Sequence, residues 1–417
     1  MENSSSVLRR KTELTNGDSL GNHTYGNETN NNSFKIPRSS LLEVLQGVSV
    51  AFKLSDNSTK AVTQFFHSHS KPSHLKVEEE ITTSAPSFRS WLAAIPDHIV
   101  EETPRQVASV AVAVAVLREK CRQATDESTA GILSIDKLGL VWDIIYHALT
   151  SPFIENPLGN VSRSAQGFLA VPLCSLIKDG MIDELYRLHV WLPDGQRGNK
   201  DCSIHSHQPF AQSWVLAGQG LDCSYEVELN SSPEAATHAE YALAWNDGKS
   251  LGKNYNAHQT YSVVANTRKL AHAELKGSAV HTRNMTYSIP SAKFHTSVVA
   301  PDSIHATLFF FDSRRGFFKD AGVLGPKDGD SYTQVRTAAG ITAASLAGIV
   351  QNVREWEILM EQAQHYVQRA EWEHALRYFD KALSLCESAE NFPNVASYRN
   401  EVLRNLRKTK RRFVATN

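Results

Sequence analysis

Residues 204–220 read IHSHQPFAQSWVLAGQG, and the pair of histidines near their start decides how the chain is read. His205 and His207 stand two apart in a run with the texture of a β-strand, where side chains at i and i+2 share a face. Two imidazoles on one face, separated by one small residue, can bite a single divalent ion. Residues 287–299, YSIPSAKFHTSVV, repeat the arrangement: a strand, a proline turn, then His295 on a strand that can face the first two. A facial set of histidines with open positions is how iron and related metals activate oxygen or a carbonyl substrate. An H-x-H pair alone is weak evidence in a chain with 17 histidines, so the second segment carries the weight. His281 is an alternative third ligand, although it opens its segment after GSAV like a surface residue at a strand start. His305, beyond a Pro-Asp turn, is expected to be exposed.

The flanks agree with a β-rich setting. HVWLPDGQRG, just before the histidines, ends a strand in a Pro-Asp-Gly turn, which predicts that the histidine segment returns as its hairpin partner. SWVLAG is an apolar strand closed by Gly218. From about Ala165 to Asp312, runs such as FLAVPL, ELYRLHVWL, CSIHSH, CSYEVEL, YALAW, TYSVVA, KFHTSVVA and ATLFFFD alternate with Gly, Pro, Asn and Asp clusters. Many short strands at regular spacing mean a sandwich or barrel. Upstream the texture is helical. SSLLEVLQGVSVAF has apolar groups at three- and four-residue spacing behind a Ser cap, and SFRSWLAAIPDHIV is a second helical piece. Thr103-Pro104 predicts a cap followed by Pro at the first helical position of 106–123. The Val-Ala alternation over 110–116 also fits a strand, but its Ala content and basic end favour a helix. IDKLGLVWDIIYHAL over 135–149 is an amphipathic helix stopped by Pro152. The expected organisation is α+β. A polar, disordered segment spans 1–38 and a helical region 39–155, with a polar loop near 68–84. An antiparallel β-barrel covers 160–325, a helical region 335–408, and a basic tail 409–417.

Composition sets limits. The 417 residues carry 43 basic and 44 acidic groups, so nothing global draws the chain to nucleic acid or a membrane. VASVAVAVAVL, residues 107–117, is too short to span a bilayer. The first twenty residues lack the apolar core of a secretory signal. The five cysteines (Cys121, Cys174, Cys202, Cys223 and Cys386) are scattered and odd in number, which is no disulfide framework. An intracellular, cytoplasmic protein is expected.

At 160–325 the residues resemble the cupin superfamily of jelly-roll β-barrels. Its first motif is similar to G-x5-H-x-H-x3–4-E-x6-G and its second to G-x5-P-x-G-x2-H-x3-N. His205 and His207 match the paired histidines, and Gly218 falls near the closing Gly. Pro290 and His295 match the second motif, with Ala292 in its Gly position. Gln212 stands where many cupins place a metal-binding Glu, which implies a three-histidine set. That set resembles thiol dioxygenases of the cysteine dioxygenase type, enzymes that use Fe(II) and O2 to turn a thiol into a sulfinate. The resemblance therefore implies a divalent metal at His205, His207 and His295, Fe(II) first, with Zn, Ni and Mn compatible. Three features of that family are missing. The position of its cross-linking Cys falls near Gln212. Its Ser-His-Tyr trio falls near Thr307, Phe309 and Phe311. No counterpart of its substrate-clamping Arg is evident.

Tyr225 and Tyr287 are candidate acids or hydrogen-bond donors in the barrel, packing with a satisfied hydroxyl being the plainer reading. Arg283 is a candidate contact for an anionic substrate, or a solvent-facing residue. Residues 355–386, EWEILMEQAQHYVQRAEWEHALRYFDKALSLC, place Ala363, Ala375, Ala382, Tyr366 and Phe379 at the spacings of a tetratricopeptide hairpin. With a third helix over 395–407, the region also resembles a microtubule-interacting-and-trafficking module. Either implies a protein partner bound between helices. The tail RNLRKTKRRF is a candidate nuclear localisation signal or anionic-surface contact. Three functions compete: a metal-dependent cupin enzyme, foremost a non-haem iron dioxygenase of a small substrate; a non-catalytic cupin scaffold or sensor; and a metal-dependent sugar isomerase or epimerase.

Overall fold

Ser55 and Ser87 each start a helix in the way their chemistry dictates. Their hydroxyls accept from the backbone N–H groups of Ser58 and Ser90, which no turn of the helix can satisfy. The computed structural model describes residues 34–69, 86–123, 131–154, 161–245, 261–319, 321–335, 339–390 and 392–416. The disorder expected before residue 34 lies outside these, as does the polar loop expected near 68–84 except for its first two residues, of which Ser68 ends a helix. Of the remaining polar segment, Ile36 is already fully buried.

Five helices come first: α1 (Arg38–Ala51), α2 (Asp56–Ser68), α3 (Phe88–His98), α4 (Glu102–Arg122) and α5 (Ile135–Thr150). The Val-Ala run lies inside α4 and is buried on every side, as a helix that is apolar all round must be. α4 starts one residue before Thr103, with Glu101 at its N-cap. The Thr103 hydroxyl does not cap it and donates to the carbonyl of Phe153 instead, at 2.9 Å. Pro104 sits in the first turn, where its missing N–H costs nothing. α1 lies against the sheet so closely that a Cβ on Gly47 would stand 2.5 Å from Cys174 Sγ.

The strands are β1 (Ser162–Arg163), β2 (Leu169–Lys178), β3 (Met181–Trp191), β4 (Pro209–Leu229), β5 (His238–Trp245), β6 (Tyr261–Thr282), β7 (Thr286–Ile289), β8 (Phe294–Val298), β9 (His305–Phe317), β10 (Gly322–Gly325) and β11 (Tyr332–Val335). Every pairing is antiparallel. The order runs β1-β2-β3-β9-β4-β6-β5-β10, with β7 and β8 on β4 and β11 on β6. This path has two ends, so among the described residues the sheet is not closed into the expected barrel. β4, 21 residues long, fuses the two short strands the sequence suggested. Its first half pairs with β9 and β7 and its second half with β6 and β8. The change of partners comes at Gly218, with φ +75°. A Cβ there would lie 2.0 Å from the Ile304 carbonyl oxygen, so only glycine permits the crossing.

Two further expectations change. β3 pairs with β2 and β9, so the turn after Trp191 does not make the histidine segment its hairpin partner. That segment is not a regular strand either. After a 3-10 turn at Lys200–Cys202, it runs extended between β8 and β10, held by bridges from His205 to His295 and to Val323.

α6 (Ala343–Gln368), α7 (Trp372–Ser388) and α8 (Val395–Thr416) follow the sheet. α6 packs on α5 and β4, α7 on α6, and α8 on α7. The helical and sheet layers are tied by buried polar contacts. Trp214 Nε1 of β4 donates to the Gly131 carbonyl, ahead of α5, at 2.7 Å. The fully buried Arg118 guanidinium of α4 meets the equally buried Glu184 carboxylate of β3 at 2.8 Å.

Candidate metal centre

His205 and His295 are direct partners in an antiparallel bridge. The His205 N–H donates to the His295 carbonyl at 3.0 Å, and the His295 N–H to the His205 carbonyl at 2.9 Å. Directly opposed residues project to the same face with Cβ atoms close together, and the two rings lie 4.5 Å apart. The chain past Ser206 remains extended, so His207 comes back to the same side, its ring 5.0 Å from His205 and 4.9 Å from His295. One ring nitrogen from each histidine lies within 4.8 Å of the other two.

The ring nitrogens are also oriented. His205 Nδ1 lies 2.9 Å from the Ser203 carbonyl oxygen, and a carbonyl only accepts, so Nδ1 carries the proton. His295 Nδ1 lies 2.8 Å from the Asp222 carboxylate, with the same consequence. In the neutral rings, both Nε2 atoms then turn bare lone pairs inward. His207 Nε2 faces them at 3.2 Å and 3.4 Å. Burial, then neighbouring His295, pushes His205 down to about 3. Burial and the rings of His295, His205 and His189 hold His207 well below the ordinary imidazole value. The rings of His205 and His207 are therefore neutral at neutral pH.

Convergent, deprotonated imidazole nitrogens fit a divalent ion. Metal–nitrogen bonds of about 2.1 Å put cis ligands roughly 3.0–3.4 Å apart, the spacing of His207 from each of the other two here. The Asp222 contact fixes the ligand ring and raises its basicity, the role a carboxylate plays behind a metal-bound histidine. Ser297 Oγ also reaches this carboxylate, at 3.3 Å. Asp222 was not legible as a site residue: it is one of many acidic groups, and only the β4–β8 register brings it to His295.

A cavity of about 110 Å³ opens beside the three rings. Arg187, His189 and Trp191 of β3 line one wall, and Thr307, Phe309 and Phe311 of β9 another. Each set alternates along its strand and so shares a face. The period-two pattern in the sequence puts Arg187, His189 and Trp191 on one face, but only the register of β3 with β9 turns that face to the cavity. Thr307, Phe309 and Phe311 thus offer the cavity one hydroxyl and two phenyl rings. The His189 ring is stacked between Phe168 at 3.9 Å and Phe309 at 4.4 Å.

Of the other candidates, Tyr287 lines the cavity. Its phenol is pushed up to about 12 by burial, against a hydrogen bond with Ser213, and its ring stacks on His281 at 3.9 Å. Tyr225 does not line the cavity; it packs against the cluster of Ile204, Ala271 and Leu324, on the strand face opposite Asp222. Arg283 is also elsewhere. It pairs with Glu357 at 3.4 Å and with Glu361 on α6, at a separate cleft between the sheet and the last helices. His305 is buried rather than exposed, because β9 carries it under Gly220, where a Cβ would touch its ring at 2.9 Å. Gln212 is buried and spent on structure, donating to the Tyr287 carbonyl at 2.9 Å and accepting from Arg315 at 3.2 Å.

No family model matches the chain, and no curated protein matches it. Among solved structures it is similar to the hydroxypropylphosphonic acid epoxidase from S. wedmorenis, at 10% identity and a TM-score of 0.20, over 54% of this chain and 96% of that one. Fe(II) HppE is similar at 11% identity and a TM-score of 0.18, with the same coverage.

Proposed function

We propose that the chain is a metal-dependent oxidoreductase of cupin type. His205, His207 and His295 hold Fe(II), and a small substrate, a thiol first among candidates, is oxidised by O2 (R–SH + O2 → R–SO2⁻ + H⁺). The observation that carries this reading is the convergence of three imidazole nitrogens, two with their outer nitrogens fixed as donors. Two backbone features support the cupin reading of 160–325. Ala292 adopts φ +61° where the motif has Gly, and Gly218 adopts φ +75° near the motif's closing Gly. Bound Fe(II) supplies the redox chemistry toward O2. The chain's own residues do the rest. Asp222 and the Ser203 carbonyl keep protons on the outer nitrogens. The Phe168, Phe309 and Phe311 rings exclude water from the cavity. The Tyr287 phenol stays protonated at neutral pH and is available as a hydrogen-bond donor. We read the last helices as a partner-binding hairpin of tetratricopeptide type. This is supported by Ala363, Ala375 and Ala382, which are buried without residual exposure and let the helices approach.

The test is metal content followed by oxygen consumption. After anaerobic loading with Fe(II), about one iron per chain is expected in the wild type, with none in His205→Ala or His295→Ala. Oxygen uptake with a panel of small thiols should follow iron content. A wild-type chain that retains no metal refutes the centre. Full metal occupancy with no oxygen uptake refutes the oxidoreductase and leaves the isomerase and the sensor.

A further inference from the structure

We propose that α8 carries a phosphate-binding stripe that docks this chain on duplex nucleic acid through its backbone. One face of α8 is committed: Val402, Leu406 and Thr409 are buried where the helix packs on α7. At 3.6 residues per turn, positions 404, 407, 408 and 411 fall together on the opposite face. They hold Arg404, Arg407, Lys408 and Arg411, all exposed, and none of them makes an ion pair among the described residues. At 1.5 Å per residue the row is about 10 Å long. Like charges at this spacing repel one another on a bare helix, so the row is tolerated at a cost that an external polyanion would offset.

The chemistry of the row selects the partner. Three of the four groups are guanidinium forks, which match phosphate oxygens two at a time. A duplex carries one negative charge per roughly 1.7 Å of its axis, so a row about 10 Å long meets several phosphates at once. The same face continues through Asn400 and Ser397 and holds no aromatic ring. Base stacking and lipid insertion, the devices of single-strand and interfacial binders, are absent from it. Contacts to backbone phosphates carry no sequence information, so the binding proposed is independent of sequence. The balanced charge of the whole chain, −1, makes the attraction local and short-ranged. The proposal does not depend on the metal centre.

Fluorescence anisotropy of the full chain with a 20-base-pair duplex of arbitrary sequence tests it. Four neutralised phosphates predict a slope of log affinity against log salt of about −3.6, or about 150-fold weaker binding at 200 mM than at 50 mM salt. The variant R404Q/R407Q/K408Q/R411Q, with helicity and thermal midpoint checked, is expected to bind at least tenfold more weakly at 50 mM. Should it fail to fold, Arg404→Gln and Arg411→Gln read out the same point, each lowering the slope by about 0.9. No duplex binding at 50 mM, or a variant with an unchanged slope, overturns the proposal. So does binding to phosphatidylserine vesicles with the duplex left unbound.

Discussion

At the scale of single residues, Asp222 and His305 show how a carboxylate and an imidazole acquire roles from their surroundings. Asp222 holds His295 Nδ1 at 2.8 Å, so Asp222→Asn is expected to weaken Fe(II) or Co(II) affinity about 10- to 100-fold while leaving three ligands in place. A metal titration checks this, and an unchanged affinity would show the contact to be idle. His305 is pushed down to about 4 by burial, with His281 nearby. The folded state thus refuses a proton that the unfolded chain accepts below about 6.5. Stability contributed by neutral His305 is complete above that value and drains away as pH falls toward 4, by about 1.4 kcal/mol per unit. Glu357, raised to about 7 by burial against the Gly218 N–H bond and Arg283, works in the opposite direction over part of this range. The clean measurement is therefore a difference. In urea unfolding, the stability of the parent relative to His305→Gln should fall by about 1.4 kcal/mol per unit as pH drops from 6.5 toward 4, and a pH-independent difference would sink the assignment.

Secondary-structure elements bring the ligands together through two left-handed backbone positions. Ala292, at φ +61°, turns the chain from β7 into β8, and its N–H donates to the His207 carbonyl at 2.9 Å. The turn therefore carries His295 and pins His207 together. An alanine in this conformation is strained, so Ala292→Gly is expected to stabilise the fold by about 0.5–1 kcal/mol, the relief of strain exceeding the added entropy of the unfolded chain. Gly218 is the opposite case. With φ +75° and a Cβ position 2.0 Å from the Ile304 oxygen, Gly218→Ala must displace β9 from β4. A loss of at least about 3 kcal/mol is expected in denaturant unfolding. Near-neutrality would mean that the strand crossing is looser than its geometry.

On the scale of the whole molecule, the helices and the sheet are joined across a buried ion cluster. Arg118 and Glu184 are both fully buried, with Glu43, Arg122 and Arg314 around them. Removing one partner strands a charge away from water. Glu184→Leu is expected to cost about 3–5 kcal/mol, and pairing it with Arg118→Met should recover much of that loss. Denaturant unfolding of the single and double variants measures the coupling. A fully additive pair would show that the cluster does not act as a unit.

How far the sequence alone reached follows from the range of each interaction. Helices α1, α3, α4 and α5 were readable because their periodicity is local, although the Ser cap expected for α1 and the Thr103 cap expected for α4 are not made. H-x-H and the second histidine segment named the three histidines that converge, since i and i+2 share a side in any extended backbone. Asp222, Arg187 and His189 enter the site only through the registers of β4 with β8 and of β3 with β9, partners some 70–120 residues apart in the chain, which no local pattern encodes. The same separation explains why β4 reads as two strands yet folds as one, and why Tyr225 and Arg283, plausible by residue type, face other parts of the molecule. Residue chemistry and spacing determined which groups could bind an ion; the long-range pairing of strands decided which of them meet, because hydrogen-bond register is settled between segments and not within them.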